Sequence, residues 1–328
     1  MSWKVLITAR TLNEVGASAL KLLREAGCEL VMPPKFGPHP AEVLQTLLKG
    51  NDAVLASMDK FTAEVLSSPE AASLKLISRW GVGYDAIDVP AATRQGILVA
   101  YTPGLLNETV ADFAFALLLA LARRVHLGHQ TMSAGLWQGA WGNDVFGKTL
   151  GILGCGRIGQ AVARRAAGFN MRLIGYDVAP SPEAKKLGIE FVSFEELLGQ
   201  SDFLSLHAAL TPENRGLIGE AQLRQMKPTA YLINTARGAL IDEAALVRAL
   251  HEKWINGAAL DAFAVEPLPA EHPLRKAPNV LLTPHLASFA RETGEKVSLS
   301  SAQAIVDFMN GRRPQFVVNP EVYKMLKT

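Results

Sequence analysis

The chain has 328 residues, which at about 150 per domain is enough for two domains with substantial cores. Apolar residues make up 49% and charged residues 20%, a balance that excludes a disordered or fibrous chain. Lys and Arg number 33 against 31 Asp and Glu, and the resulting +2 is too small a charge to steer nucleic acid or an anionic membrane surface.

Residues 5–8 read as a strand. A helix is expected over 13–26, because Val15, Ala19, Leu22, Leu23 and Ala26 recur at helical spacing before Gly27. Strands are expected at 29–31, 53–56, 74–78 and 97–100, with a helix over 41–48, an alternation that feeds a parallel sheet. Tyr101-Thr102-Pro103-Gly104 breaks the pattern as a hinge, and a long helix over about 107–124 follows. Its apolar run, residues 113–122, is about half the ~20 residues that cross a bilayer, so it is expected to be a buried helix. Residues 125–148 are glycine-rich and carry Trp137 and Trp141; they are either a surface loop with buried tryptophans or an arm that packs on a second subunit.

A second alternating block opens at 149–153 and runs to about 282, with strands at 172–176 and 203–206. Helix starts are expected at Thr211-Pro212-Glu213 and at Asp242-Glu243. A last helix over 293–310 stops at Gly311 and returns the chain to the first domain. The expected fold class is α/β, two doubly wound parallel-sheet domains: residues 1–101 completed by 289–328, and residues 102–288. Two cysteines, Cys28 and Cys155, cannot form a disulfide framework, and the apolar start at 5–7 is too short for a signal peptide, so a cytoplasmic setting is expected. His and Cys do not cluster at ligand spacing, and no metal site is expected.

Gly154-Cys155-Gly156-Arg157-Ile158-Gly159 matches G-x-G-x-x-G. The spacing alone is a weak signal; its place between a strand and a helix start points to a pyrophosphate held at a helix N-terminus. Asp177, after the strand at 172–176, is placed to accept from ribose hydroxyls and would repel a 2′-phosphate, which favours NAD over NADP.

Several further segments occur in order: Gly81-Val82-Gly83-Tyr84-Asp85, Asn107 with Val110-Ala111-Asp112, Asn234-Thr235-Ala236-Arg237-Gly238, Asp261-Ala262-Phe263-Ala264-Val265-Glu266-Pro267, and Thr283-Pro284-His285-Leu286-Ala287. Together with the glycine fingerprint, from about residue 50 to 318, they resemble the D-isomer-specific 2-hydroxyacid dehydrogenases, the group that includes phosphoglycerate dehydrogenase, glyoxylate and hydroxypyruvate reductases and D-lactate dehydrogenase. The resemblance implies a flavodoxin-like substrate domain, a Rossmann NAD-binding domain and an NAD-dependent dehydrogenase or reductase. Its substrate would be a small D-2-hydroxy or 2-keto acid of the 3-phosphoglycerate, hydroxypyruvate or glyoxylate class, and it would work as a homodimer whose domains close on substrate.

Hydride transfer at a 2-hydroxy acid needs a proton acceptor at the hydroxyl and a cation at the carboxylate. Arg237 offers a planar fork that orients substrate and polarises its C2 oxygen. His285 offers general acid/base catalysis near neutrality, and Glu266 a carboxylate that holds its ring. Taken singly each has a structural reading, Arg237 as an ion-pairing residue, His285 as a core histidine and Glu266 as a solvated acid; their joint occurrence in the matching segments favours catalysis. By resemblance Arg157, Ile158, His207, Ala208, Thr235, Ala236, Asp261 and Thr109 join Gly154, Gly156, Gly159 and Asp177 at the cofactor, while Val82, Gly83 and Asn107 join Arg237 at the substrate. His39, His126, His129, His251 and His272 are expected as surface or packing residues. Arg79, beside the Gly81 turn, is a candidate for a substrate phosphate.

Two positions depart from the family. Ala208 and Ala209 follow His207 where relatives usually carry a hydroxyl or cysteine and then a proline, so Ala208 leaves only backbone for the cofactor. Asp112 stands where many relatives have Glu. Two other classes remain open: an NAD-responsive protein-binding module like the corepressors related to this family, and a methyltransferase whose glycine loop also follows a strand.

Overall fold

A computed structural model describes residues 2–325; Met1 and residues 326–328 lie outside the description. The chain divides into two compact units, Met1–Leu106 with Phe289–Thr328, and Asn107–Ser288.

The first unit is built on five parallel strands, β1 (Lys4–Ile7), β2 (Glu29–Val31), β3 (Ala53–Ala56), β4 (Leu76–Arg79) and β5 (Leu98–Ala100), in the order β2-β1-β3-β4-β5. That is the flavodoxin-like order. Val5, Leu6, Ile7, Val54, Leu55, Ile77 and Val99 are buried, since helices cover both faces of a parallel sheet and its strands become continuous apolar runs. The helix expected over 13–26 is two, Thr11–Val15 and Ala17–Glu25, broken at Gly16, where a Cβ would lie 2.5 Å from the Leu12 carbonyl oxygen. The helix Arg291–Met309 packs on Ala17–Glu25, which returns the chain to this unit. The Trp80 indole N–H donates to Ser298 Oγ at 2.9 Å and ties that helix to the end of β4.

Residues 102–106 belong to the first unit, so the division falls slightly after the expected hinge. The reason is a two-way contact: the Thr102 N–H donates to the Gly81 carbonyl at 3.0 Å, and the Gly81 N–H donates to Thr102 Oγ1 at 3.0 Å.

The second unit has seven parallel strands: β6 (Thr149–Leu153), β7 (Arg172–Tyr176), β8 (Glu190–Phe191), β9 (Phe203–Leu206), β10 (Tyr231–Asn234), β11 (Gly257–Leu260) and β12 (Val280–Leu282). Their order, β12-β11-β10-β9-β6-β7-β8, is the Rossmann order with one further strand. Alternate side chains feed opposite faces. Phe203, Tyr231 and Ile233 pack under the helices Asn107–Ala122 and Arg157–Ala166, whereas Leu204, Leu206 and Leu232 pack under Phe194–Gln200 and Glu243–His251. The strand order reverses between β6 and β9, the place where ligands bind in open α/β sheets.

Asp242 caps the helix Glu243–His251 by accepting from the Ala245 N–H at 3.0 Å. No helix starts at Thr211. Asn214 closes a turn there instead, its Oδ1 accepting from the Thr211 N–H at 2.8 Å and its Nδ2 donating to the Ala209 carbonyl at 2.7 Å. Within 125–148 the chain forms a helix, Val125–Ser133, with no buried residue, followed by irregular chain on which Trp137 and Trp141 are 90% and 98% exposed. The reading with buried tryptophans is therefore wrong, because nothing among the described residues packs over these rings. Among the described residues no helix is long and apolar enough to cross a membrane.

Candidate active site

Past Leu153 the chain turns through Gly154-Cys155-Gly156 into the helix Arg157–Ala166. The three fingerprint glycines meet different constraints. Gly154 sits at φ +90°, and a Cβ there would lie 2.4 Å from the Ala208 nitrogen, so the exit of β9 already crowds it. Gly156 faces open space, which leaves room for a phosphate against the backbone. A Cβ on Gly159 would lie 2.2 Å from the Gly154 carbonyl oxygen, so the helix can start this close to the strand only as glycine. No side chain caps the helix and no acid stands in its first turn, which leaves its positive end to an anion.

Asp177 directly follows β7. Its Oδ2 accepts from the Cys155 N–H at 2.7 Å and its Oδ1 from the Ala179 N–H at 2.9 Å, so the acid expected at the ribose also braces the glycine turn. Burial, reinforced by the Asp177 charge, pushes the Cys155 thiol up to about 12, and it is no nucleophile. His207 Nδ1 and Thr235 Oγ1 are buried without a hydrogen-bond partner, just past the ends of the neighbouring strands β9 and β10. Buried polar atoms are rarely left unsatisfied, and a nicotinamide nucleotide offers the donors and acceptors they lack. The open Gly156, the uncapped helix and these two atoms fit a dinucleotide.

His207 Nε2 lies 2.8 Å from Ser205 Oγ, and burial pushes its pKa down from 6.5 to about 3. Between those values the unfolded chain takes a proton that the folded one refuses. Stability should therefore hold above pH 6.5 and fall as pH drops toward 3, by up to about 1.4 kcal/mol per pH unit from this group. Urea unfolding across that range should give a shallower acid slope for His207→Gln than for the wild type; equal slopes would refute the assignment.

The remaining side chains stand beyond the C-terminal ends of three adjacent strands, Arg237 after β10, Glu266 after β11 and His285 after β12. His285 Nδ1 is 2.8 Å from Glu266 Oε2, and Glu266 Oε1 accepts from the Phe263 N–H at 2.9 Å. Burial presses the Glu266 carboxyl upward, but the His285 hydrogen bond and charge, the Phe263 N–H and the Arg237 charge together hold it below its ordinary value. Glu266 is therefore ionised at neutral pH and accepts from the Nδ1–H of His285. His285 has φ +57°, a left-handed conformation that costs a non-glycine residue energy and is kept by its surroundings.

Asp261 holds that conformation. The carboxylate is 1% exposed and accepts from Thr283 Oγ1 at 2.6 Å and from the Leu286 and Ala287 N–H groups at 2.8 Å each, on both sides of His285. Burial raises its pKa in spite of these donors. Arg237 sits on a turn closed by Asn234, whose Oδ1 accepts from the Ala236 N–H and whose Nδ2 donates to the Arg237 carbonyl, both at 2.9 Å. Arg237 Nη1 donates to the Ala236 carbonyl at 2.8 Å. Asn234 and Thr283 do this without a sequence signal of their own beyond membership of the quoted segments.

Asn107 and Thr109 begin the helix Asn107–Ala122. In the same helix Asp112 accepts from Arg165 Nε at 2.7 Å, so its carboxylate is engaged with the neighbouring helix. Val82 and Gly83 belong to the first unit. The Gly81 carbonyl points at Thr102, and across a trans peptide the Val82 N–H points the opposite way. Arg79, 7% exposed, donates from Nε to the Gly83 carbonyl at 2.8 Å, and its other nitrogens reach the Trp80 carbonyl and Met58 Sδ.

Residues 115–287 match the NAD-binding domain of the D-isomer specific 2-hydroxyacid dehydrogenases. Over 333 residues, 99% of this chain and 98% of the relative, the sequence is 45% identical to a glyoxylate reductase of Korarchaeum cryptofilum. The chain belongs to the D-isomer specific 2-hydroxyacid dehydrogenase family. This D-2-hydroxyacid dehydrogenase is an NAD-dependent oxidoreductase acting on 2-hydroxy or 2-keto acids. Its fold is similar to that of the TT0316 protein of Thermus thermophilus (41% identity, TM-score 0.86, 96% and 99% of the two chains). It is also similar to a glyoxylate reductase of Paecilomyes thermophila (34% identity, TM-score 0.85, 98% and 99%).

Proposed function

We propose that this dehydrogenase reduces a small, unphosphorylated 2-keto acid of the glyoxylate or hydroxypyruvate class with NADH, using His285 as general acid. The contact that carries this reading is the 2.8 Å pair between His285 and an ionised Glu266, on strand ends next to Arg237. Bound NADH supplies a hydride to the substrate C2 carbon. Arg237 grips the carboxylate and the C2 oxygen in its planar fork and draws electron density onto that oxygen. As the oxygen gains charge, His285 delivers the Nε2 proton to it, and Glu266 stabilises the imidazolium that stands ready to do so. In the oxidative direction the same nitrogen takes the proton back. Val82 and Gly83 offer backbone N–H groups to the substrate carboxylate, with Asn107 as a further substrate contact. Arg157, Ile158 and the three glycines take the pyrophosphate, and Asp177 takes the ribose and disfavours a 2′-phosphate. His207, Ala208, Thr235, Ala236, Asp261 and Thr109 complete the cofactor contacts.

The absence of a phosphate in the substrate is supported by Arg79, whose guanidinium is turned to the Gly83 and Trp80 carbonyls and to Met58. NADH oxidation should be measured with glyoxylate, hydroxypyruvate, pyruvate and phosphohydroxypyruvate. Glyoxylate or hydroxypyruvate should give the highest kcat/KM, and a preference for phosphohydroxypyruvate would overturn the assignment.

We also propose a homodimer formed through the segment 125–148. Trp137, Trp141 and Phe146 are exposed, and large aromatic side chains are the kind enriched at subunit interfaces. Two copies of the segment would meet across a two-fold axis, each presenting the same residues to the other. The double variant Trp137→Ser/Trp141→Ser should sediment as a monomer where the wild type sediments as a dimer. A monomeric wild type would end the proposal.

A further inference from the structure

Glu243 is the first residue of the helix Glu243–His251, but Asp242 already caps that helix, and the Glu243 carboxylate turns elsewhere. Its Oε1 accepts from the Ala264 N–H at 2.7 Å and its Oε2 lies 3.2 Å from His272 Nε2. The two side chains are 13% and 23% exposed. His272 Nδ1 accepts from the Leu274 N–H at 3.3 Å, and a ring nitrogen that accepts carries no proton. The proton of the neutral ring is therefore on Nε2, where it donates to Glu243. So His272 is more than the surface or packing residue expected from the sequence: it orients the carboxylate that holds Ala264.

Ala264 follows Phe263, whose N–H donates to Glu266 Oε1 at 2.9 Å. Phe263 is also the backbone against which Gly238 rests, because a Cβ on Gly238 would lie 1.9 Å from the Phe263 carbonyl carbon. The short stretch Phe263-Ala264 thus supports both the Glu266 carboxylate and the turn that carries Arg237. We propose that Glu243, backed by His272, is a positioning residue for hydride transfer: it clamps the Phe263-Ala264 backbone and so sets how Glu266 faces His285 and how Arg237 meets substrate. The proposal rests on the reading of His285 and Glu266 as the acid/base pair. Supports of this kind matter because a misplacement of about 1 Å at a reacting centre costs on the order of a hundredfold in rate.

The test compares wild type with Glu243→Ala, Glu243→Gln, His272→Ala and His285→Ala in glyoxylate reduction, recording kcat, KM and the pH profile of kcat, with NADH affinity from fluorescence titration. Glu243→Ala should lose about ten- to a hundredfold in kcat, the usual cost of an outer support, with NADH affinity within about twofold. The optimum for reduction should move to lower pH, because a Glu266 that no longer faces Nδ1 squarely favours the imidazolium less. Glu243→Gln, whose amide oxygen can still accept from Ala264 while its NH₂ meets the His272 Nε2–H, should recover only part of the lost kcat, and His272→Ala, which keeps the carboxylate on Ala264 and removes only its support, should lose less than Glu243→Ala. Unchanged kcat and pH profile in Glu243→Ala, with His285→Ala inactive, overturns the clamp and leaves the acid/base reading in place. Full turnover in His285→Ala overturns both. If Glu243→Ala does not fold, His272→Ala decides, a wild-type pH profile counting against the clamp. Loss of NADH affinity in step with kcat would show a general structural role and also overturn it.

Discussion

His285→Ala should lower kcat for keto-acid reduction by about 10²- to 10⁴-fold, with NADH affinity within about twofold of wild type. The separation follows from geometry. Nδ1 is committed to Glu266 at 2.8 Å, so Nε2 is the nitrogen left for substrate, and no fingerprint residue depends on the ring. Glu266→Gln sharpens the test. The Phe263 N–H would hold the amide oxygen as it now holds Oε1, which turns the amide NH₂ toward His285 Nδ1. An imidazolium carries protons on both nitrogens and would then face a donor, so the variant disfavours the protonated ring. Reduction, which needs the protonated ring, should lose rate at neutral pH and regain part of it as pH is lowered. A Glu266→Gln enzyme with a wild-type pH profile, or a His285→Ala enzyme with normal turnover, would remove the acid/base assignment.

Arg237→Lys should raise KM for the keto acid and lower kcat, for a combined loss of about a hundredfold in kcat/KM, although the charge is conserved. A guanidinium presents two parallel N–H groups in a rigid plane, whereas an ammonium is a point charge on a flexible stem, so it cannot hold a carboxylate and polarise a ketone oxygen in one fixed pose. The backbone of this turn is held independently, by Asn234 and by the contact of Gly238 with Phe263, so the lysine variant should keep its fold and NADH affinity. Stopped-flow measurement of the hydride step with saturating NADH would separate the two parts of the loss. Unchanged kcat/KM would show that Arg237 does not touch substrate.

Much of the fold was legible because the signals are local. Short apolar runs alternating with amphipathic stretches imply parallel α/β sheets, and Asp242 was readable as a cap because capping is settled within four residues. The errors were local as well. Thr211-Pro212-Glu213 carries a helix-start pattern, yet Asn214 offers the backbone a competing turn, and Gly16 divides a run whose apolar spacing is continuous.

The sequence by itself determined which chemical groups are present and in what order: a glycine fingerprint after a strand, an acid after the next strand, and an arginine, a glutamate and a histidine in three separate segments. Only the tertiary structure decided which of these touch. Strand pairing carries no local signature, so the order β12-β11-β10, which places Arg237, Glu266 and His285 on neighbouring strand ends, appears only when the sheet is assembled. The same holds for the burial that ties Asp261 to the His285 loop, for the Glu243–His272 brace behind Glu266, and for the inward turn of Arg79. Each depends on hydrogen bonds across a long sequence separation or on the exclusion of water, and neither property belongs to a residue until the chain has packed around it.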